Sequence, residues 1–193
     1  MTALTCLTVA ILAVGAVVPH TNVAAQSPTA PSAAEAAAIR QFNDAVTKYL
    51  KLRRGLTGEI AGPKANSTSS QLTTASDNLA IAIQRARPDA RPGTIFVAPA
   101  NPVLKKRIRD AVVQGSLAAT LADIDDERAT ILEPKIHLRL PAASQMATMP
   151  PALLAALPRL PKELEYRIIG HYLVLRDVDA AIVIDYMPAA VPR

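Results

Sequence analysis

The stretch EYRIIGHYLVLRDVDAAIVIDY, residues 165–186, decides the fold because it contains three apolar runs separated by two turn signals. Gly170-His171 fits a two-residue hairpin turn of type II′, which has glycine at its first central position. A second turn at Val178-Asp179 leads into the third run. The stretch therefore predicts a three-stranded antiparallel meander.

The two turns together predict the register of the meander, since side chains along a strand alternate between its two faces. The first turn pairs Tyr166 with Leu175 and places Glu165 opposite Arg176, and the second pairs Leu175 with Ile182. One face is then wholly apolar and is expected to be buried: Tyr166, Ile168, Leu173, Leu175, Ile182 and Ile184. The other face carries Glu165, Arg167, Ile169, Tyr172, Val174, Arg176, Val183 and Asp185.

The middle of this second face is more apolar than a face in free contact with water needs to be. Its side chains are Ile169, Tyr172, Val174 and Val183. Exposed apolar patches mark interaction sites in soluble proteins. Either one of the helices covers this face or another molecule does, and the second alternative makes these four residues a candidate interface.

Upstream of the meander, apolar residues recur at three- and four-residue steps and predict helices. The first helix starts at a capping box formed by Ser32 and Glu35, and Gly55 to Gly58 is expected to end it. A loop is predicted over residues 57–70, and a second helix from about residue 70 to residue 87. A third helix is predicted to begin with Asn101 as its cap, because Pro102 suits the first helical position.

Two shorter elements complete the prediction. Ile136-His137-Leu138-Arg139-Leu140 alternates strictly between apolar and polar residues and predicts a strand. Residues 149–157 predict a short helix that Pro150-Pro151 opens and Pro158 ends. The predicted fold class is α+β, with N-terminal helices packed on a small antiparallel β-meander near the C-terminus.

The N-terminal residues are typical of a secretory signal peptide. The apolar run from Ala3 to Val18 is shorter than the roughly 20 residues that span a membrane, and Val23-Ala24-Ala25 has small residues where a signal peptidase cleaves. The expected organisation is a signal peptide at 1–25, a linker at 26–32 and a single domain at 33–193. No lysine or arginine precedes the apolar run, so an uncleaved anchor is the alternative.

The mature chain is expected to be periplasmic or secreted, without a stable membrane span after cleavage. It has no cysteine, because Cys6 is the only one, and its formal net charge is +5. No disulfide or thiolate zinc site is therefore predicted, and no cofactor is expected. Aromatic residues make up only 3% of the chain and do not interleave with basic ones, so no nucleic-acid partner is expected either.

Two surfaces and two histidines are candidate sites. Lys105, Lys106, Arg107 and Arg109 form a basic run, which is either an anion patch or a solvated helix face. His137 and His171 are the histidines of the mature chain, and a metal or catalytic role would need partners brought close by the fold. The leading hypothesis is a non-catalytic domain that binds an unknown protein or envelope component. The alternative is a small metal-dependent or hydrolytic enzyme that uses His137 or His171.

Three segments of the chain carry a resemblance. Gln41-Phe42-Asn43, residues 149–154 and the pattern over residues 166–185 resemble a group of small exported bacterial proteins of unknown function. The resemblance implies export and a single-domain fold. It implies no catalytic or binding residues.

Overall fold

The computed structural model describes residues 32–59, 66–119, 121, 133–140 and 148–192. The predicted signal peptide, the alternative anchor and all but the last residue of the predicted linker lie outside the described residues. Among the helices that are described, none combines the length and the apolar character needed to cross a membrane.

The described elements confirm the α+β class, with helices first and a three-stranded antiparallel sheet near the C-terminus. In chain order they are α1 (Ala33–Glu59), α2 (Ser69–Ala86), α3 (Ala100–Gln114), α4 (Pro151–Ala156), β1 (Leu164–Ile169), β2 (Tyr172–Asp177) and β3 (Ile182–Met187). The strands follow one another in the sheet in the order β1-β2-β3. The short helix predicted around residues 149–157 is therefore present as α4.

Helix α1 starts where the capping box predicted it. The Ser32 N–H donates to the Glu35 carboxylate at 3.0 Å, and the Glu35 N–H donates to the Ser32 hydroxyl at 3.1 Å. Its end was predicted wrongly, since the helix continues through Gly55 and Gly58 to Glu59. A glycine inside a helix costs only about 1 kcal/mol, and Leu56 packs against the core and helps to hold this last turn.

The loop predicted over residues 57–70 is helical at both ends, and its residues 60–65 lie outside the described part. Helix α2 begins with a second capping box, between Thr68 and Gln71, which sequence reasoning missed. Helix α3 begins two residues earlier than predicted, with Pro99 and not Asn101 at the capping position. The Asn101 side-chain oxygen is buried and has no hydrogen-bond partner among the described residues.

The first hairpin confirms the predicted register. Tyr166 pairs with Leu175 and Glu165 pairs with Arg176. Gly170 has a φ of +54° while His171 is not among the residues with positive φ, as a type II′ turn requires. The glycine is needed here because this conformation is strained for any residue with a Cβ.

The second turn is longer than predicted. It spans residues 178–181 instead of Val178-Asp179 alone, and Ala181 has a φ of +55°. The Asp177 carboxylate accepts a hydrogen bond from the Ala180 N–H at 2.9 Å, which closes this wider turn. Two additional turn residues change every pairing between β2 and β3.

The register of β3 corrects the prediction. Leu175 pairs with Asp185 and not with Ile182, and Ile184 is an extra residue that forms a bulge. The bulge moves Asp185 from the predicted outer face to the helix side of the sheet. There its buried carboxylate accepts hydrogen bonds from three backbone N–H groups within residues 93–96.

The main core lies between the helices and one face of the sheet. Each helix and the sheet contribute fully buried side chains, among them Phe42, Ile83, Leu104, Leu153, Leu173 and Leu175. Phe96 stacks on Phe42 with ring centroids 5.7 Å apart and on Tyr166 at 6.5 Å. Burying an aliphatic or aromatic side chain of this size contributes about 1.5–3 kcal/mol, so this layer is the chief source of stability.

The strand predicted over residues 136–140 is only half formed. Ile136 and His137 lie in a turn, where His137 has a φ of +66°. The chain then runs along β3: the Val183 N–H donates to the Leu138 carbonyl, and the Leu140 N–H donates to the Ala181 carbonyl, both at 2.9 Å. This short segment thus pairs with the edge of β3 at an isolated bridge, and the side chains of Leu138 and Leu140 pack against the outer face of the sheet.

Candidate functional site

The outer face of the sheet is largely closed by the chain itself. Val174 and Val183 are fully buried and Ile169 is 9% exposed, and all three pack with Leu140 in a second, smaller core. Of the four candidate interface residues, Tyr172 alone stays partly exposed. The other three do not lie on a free surface, because the segment that contains Leu140 covers them.

The basic run on α3 does not form a single patch. Side chains advance by about 100° per residue around a helix, so Arg109 neighbours Lys105 and Lys106, while Arg107 lies on another side of the helix. Lys106 forms an ion pair with Asp110 at 2.7 Å. Arg107 lines a shallow groove between α3 and α4. The structure therefore favours the solvated helix face over the anion patch.

The two histidines lie in different surroundings. The His171 ring stacks on Tyr172 with centroids 4.4 Å apart, at the hairpin tip. Burial lowers the pKa of His137, the charge of Arg87 lowers it further, and the His137 Nε2 atom has no hydrogen-bond partner among the described residues. No group of three or more histidine, cysteine, aspartate or glutamate side chains within the described ranges could hold a metal. The enzyme hypothesis gains no support from these positions.

Strand β1 forms an open edge of the sheet in the described structure, because only β2 pairs with it. The Glu163 carbonyl accepts from the Val178 N–H at 2.9 Å, so the odd-numbered residues of β1 direct their backbone groups toward β2. The backbone groups of Tyr166 and Ile168 then point away from β2. No described residue forms a backbone hydrogen bond with them on that outer side.

A groove of about 460 Å³ runs beside this edge. Its apolar lining consists of Met149, Leu154, Pro158, Leu160, Leu164 and Tyr166. The Tyr166 hydroxyl donates to the Pro158 carbonyl at 3.1 Å and thereby ties the strand to the opposite wall. Leu154 is 46% exposed although its side chain is large and apolar. An open strand edge and an apolar groove thus lie side by side.

Charged side chains also line the groove. Glu165 accepts from both Arg167 and Arg176 at 2.6 Å. Burial by itself raises the pKa of Glu165, but the hydrogen bonds and charges of the two arginines outweigh burial and hold that pKa below its usual value. Arg176 is 4% exposed, and its Nε atom has no acceptor among the described residues. Arg159 lines the groove as well and is exposed.

Comparisons with known proteins do not assign the chain to a family. No family model, curated protein or solved structure matches the chain. The resemblance to small exported bacterial proteins therefore stays a prediction, and the functional hypothesis depends on the groove and the edge of β1.

A buried polar cluster joins α1 to the second turn of the sheet, and sequence reasoning missed it. The Arg53 Nε donates to the Asp177 carboxylate at 2.7 Å, and the Tyr49 hydroxyl donates to the same oxygen at 2.8 Å. A second bond from the Arg53 guanidinium reaches Asp179. Burial raises the pKa of Tyr49, and the Asp177 charge raises it further, so the phenol stays protonated.

This cluster has a structural role. Asp177 is fully buried and Arg53 is 8% exposed, so neither side chain faces a site that a ligand can enter. The three- and four-residue periodicity over α1 indicates that Arg53 is helical and does not indicate its partner. A partner 124 residues away could not be inferred from that local pattern.

Proposed function

We propose that the chain is an exported, non-catalytic protein that binds an extended polypeptide strand along the outer edge of β1. One observation supports this proposal most directly: the outward backbone groups of Tyr166 and Ile168 lie beside an apolar groove. Proteins that bind peptides by strand addition use main-chain hydrogen bonds for affinity and neighbouring pockets for alternate side chains. Both features occur at this edge.

Strand addition would bring side chains of the ligand to the groove. An added strand lies about 4.8 Å from β1, and its side chains alternate between the two faces of the sheet. Every second side chain then enters the apolar groove, against Leu154 and Leu160. The added strand converts a three-stranded sheet into a four-stranded one and pairs an edge with which only β2 pairs among the described strands.

A peptide titration tests the proposal without any contribution from charge. The probe is a capped, uncharged peptide of sequence Thr-Gln-Val-Gln-Val-Gln-Thr, and amide hydrogen exchange is followed by NMR. At saturation we expect exchange at the Tyr166 and Ile168 amides to slow by about tenfold or more, because these N–H groups acquire acceptors. The Arg167 amide faces β2 and should not change.

A backbone-blocked peptide serves as the matched control. N-methylation of both valines removes the N–H groups that would pair with β1 while the side chains stay the same. Protection of the Tyr166 and Ile168 amides by the unmodified peptide alone supports strand addition. Equal effects of the two peptides, or no protection by either, would contradict it.

A further inference from the structure

We infer that the polypeptide bound at the β1 edge is the β1 strand of a second copy of this chain, an inference that rests on the function proposed above. The residues that decide it are Glu165 and Arg167, which lie two positions apart on the outer face of β1. They form an ion pair at 2.6 Å, and their side chains remain 23% and 12% exposed. Both charges can therefore meet charges of another molecule that pairs with this edge.

The outward backbone groups of β1 allow two copies to pair antiparallel about a two-fold axis beside Tyr166. In this register Tyr166 lies opposite Tyr166 of the copy, and Leu164 lies opposite Ile168. The Tyr166 N–H then donates to the Tyr166 carbonyl of the copy, and the Ile168 N–H donates to the Leu164 carbonyl. The Leu164 N–H already donates to the Pro161 carbonyl at 3.0 Å, so the ladder between the copies ends at this residue.

The same register places Glu165 of each copy directly opposite Arg167 of the other. Directly opposed side chains lie about 4.5–5.5 Å apart, where opposite charges stabilise the pairing, and like charges occupy only the diagonal positions, about 7–8 Å apart. A shift by two residues puts Glu165 opposite Glu165 or Arg167 opposite Arg167. A shift by one residue exchanges the two faces of the strand. The charges of β1 therefore select a single register.

The resulting assembly is closed, because a two-fold interface uses the same edge of both copies and leaves no β1 edge for a third. Two three-stranded sheets join into one sheet with the β1 strands at its centre. The opposite edge of each sheet is β3, where Ile182 already forms a bridge with Arg139. The partner is thus one further copy, and pairing at β1 does not continue into a filament.

The net charge of the chain acts against this association at long range. Each copy carries a formal net charge of +5, and like net charges repel. Salt screens this repulsion beyond about 8 Å at physiological ionic strength, whereas the opposed side chains at the edge lie closer than that. Overall charge and local register predict opposite responses to one substitution, so an experiment can separate them.

Sedimentation and amide exchange over a dilution series test the inference on the whole protein as it is recovered from expression. We expect dimers that dissociate on dilution. Exchange at the Tyr166 and Ile168 amides should be slower by about tenfold or more in the dimer than in the monomer, because these N–H groups acquire acceptors. The Arg167 amide faces β2 and should exchange equally in both states.

Two arginine substitutions that lower the net charge equally separate register from overall charge. Arg167→Glu should weaken the dimer by about tenfold, because a glutamate at position 167 lies opposite Glu165 of the copy. Arg109→Glu changes an exposed side chain on α3 and should leave the dimer unchanged or slightly tighter. Equal or stronger dimerisation of the Arg167→Glu variant would overturn the inference, since overall charge alone would then govern association.

Two capped peptides of identical composition test the same register on the unaltered protein, so the result does not depend on the folding of a variant. One has the sequence of residues 164–169, Leu-Glu-Tyr-Arg-Ile-Ile, and the other exchanges its charges to Leu-Arg-Tyr-Glu-Ile-Ile. We expect the first to convert dimers to monomers at about one tenth of the concentration that the second requires, because each charge of the second meets its like. Equal potency of the two peptides would overturn the inference.

The remaining outcomes separate the inference from the function on which it rests. Monomers at every concentration, with edge amides that the uncharged peptide still protects, overturn the second copy as partner and leave strand binding intact. Monomers whose edge no peptide protects overturn both. Dimers whose Tyr166 and Ile168 amides exchange as fast as those of the monomer associate through another surface, and they also overturn the inference.

Discussion

At the residue scale, Asp177 connects parts of the chain that are remote in sequence. Its carboxylate accepts hydrogen bonds from Tyr49 and Arg53 on α1 and from the Ala180 N–H in the second turn. Arg87 also lies over the Tyr49 ring, 5.2 Å from its centroid. Because Asp177 is fully buried, water cannot replace any of these partners.

The substitution Asp177→Asn tests this connection. We expect it to lower the free energy of unfolding by about 3 kcal/mol, because Arg53 loses its buried counter-charge and the amide cannot satisfy all three donors. Urea denaturation followed by circular dichroism measures the loss.

Asp179→Asn is the control for that substitution. Asp179 contacts the same arginine, but 66% of its side chain is exposed, so its loss should cost at most about 1 kcal/mol. Similar losses in the two variants would show that burial of Asp177 does not produce the effect.

At the scale of elements, glycines in α1 and in the first hairpin have opposite physical roles. Gly55 lies inside α1, and a Cβ built on it meets no atom within 4 Å. Gly170 has a φ of +54° in the β1–β2 turn. The first position has space for a side chain and ordinary helical geometry, whereas the second requires a conformation that side chains disfavour.

We therefore expect Gly55→Ala to stabilise the protein by about 0.5–1 kcal/mol, because alanine restricts the unfolded chain and suits a helix. Gly170→Ala should destabilise it by about 1 kcal/mol or more, since a residue with a Cβ is strained there. Thermal unfolding of both variants beside the wild type provides the measurement. A stabilised Gly170→Ala variant would contradict the type II′ assignment of the turn.

At the scale of the whole molecule, the proposal that the protein is exported concerns its compartment. The residues that predict export precede the described domain. The apolar run from Ala3 to Val18, followed by small residues at Val23-Ala24-Ala25, is the basis of the proposal that the protein is exported.

Expression of the full chain in a bacterial host tests this proposal. We expect the mature protein in the periplasmic or secreted fraction with Gln26 as its first residue, determined by N-terminal sequencing. A variant without residues 1–25 should remain in the cytoplasm. Recovery of the intact chain in the membrane fraction would support the uncleaved anchor, and cytoplasmic recovery of the full chain would contradict export.

The sequence predicted those features whose causes lie within a few residues. The Ser32–Glu35 capping box, the apolar stripe of α1 and the register of the first hairpin depend on local hydrogen bonds and on the side-chain period. The α+β class followed from the change between the helical period of three to four residues and the strand period of two residues. Sequence reasoning also noted the surplus apolar character of the outer face, although it left open what covers that face.

The tertiary structure decided everything that depends on distant contacts. The second turn is wide because Asp177 caps it while binding Arg53, and the bulge turns Asp185 toward backbone N–H groups that only the folded chain brings near. Three of the predicted interface residues became core because the segment around Leu140 packs on them. The groove beside β1 also depends on distant contacts. Its walls come from separate segments of the chain, and no local sequence pattern shows that these segments meet.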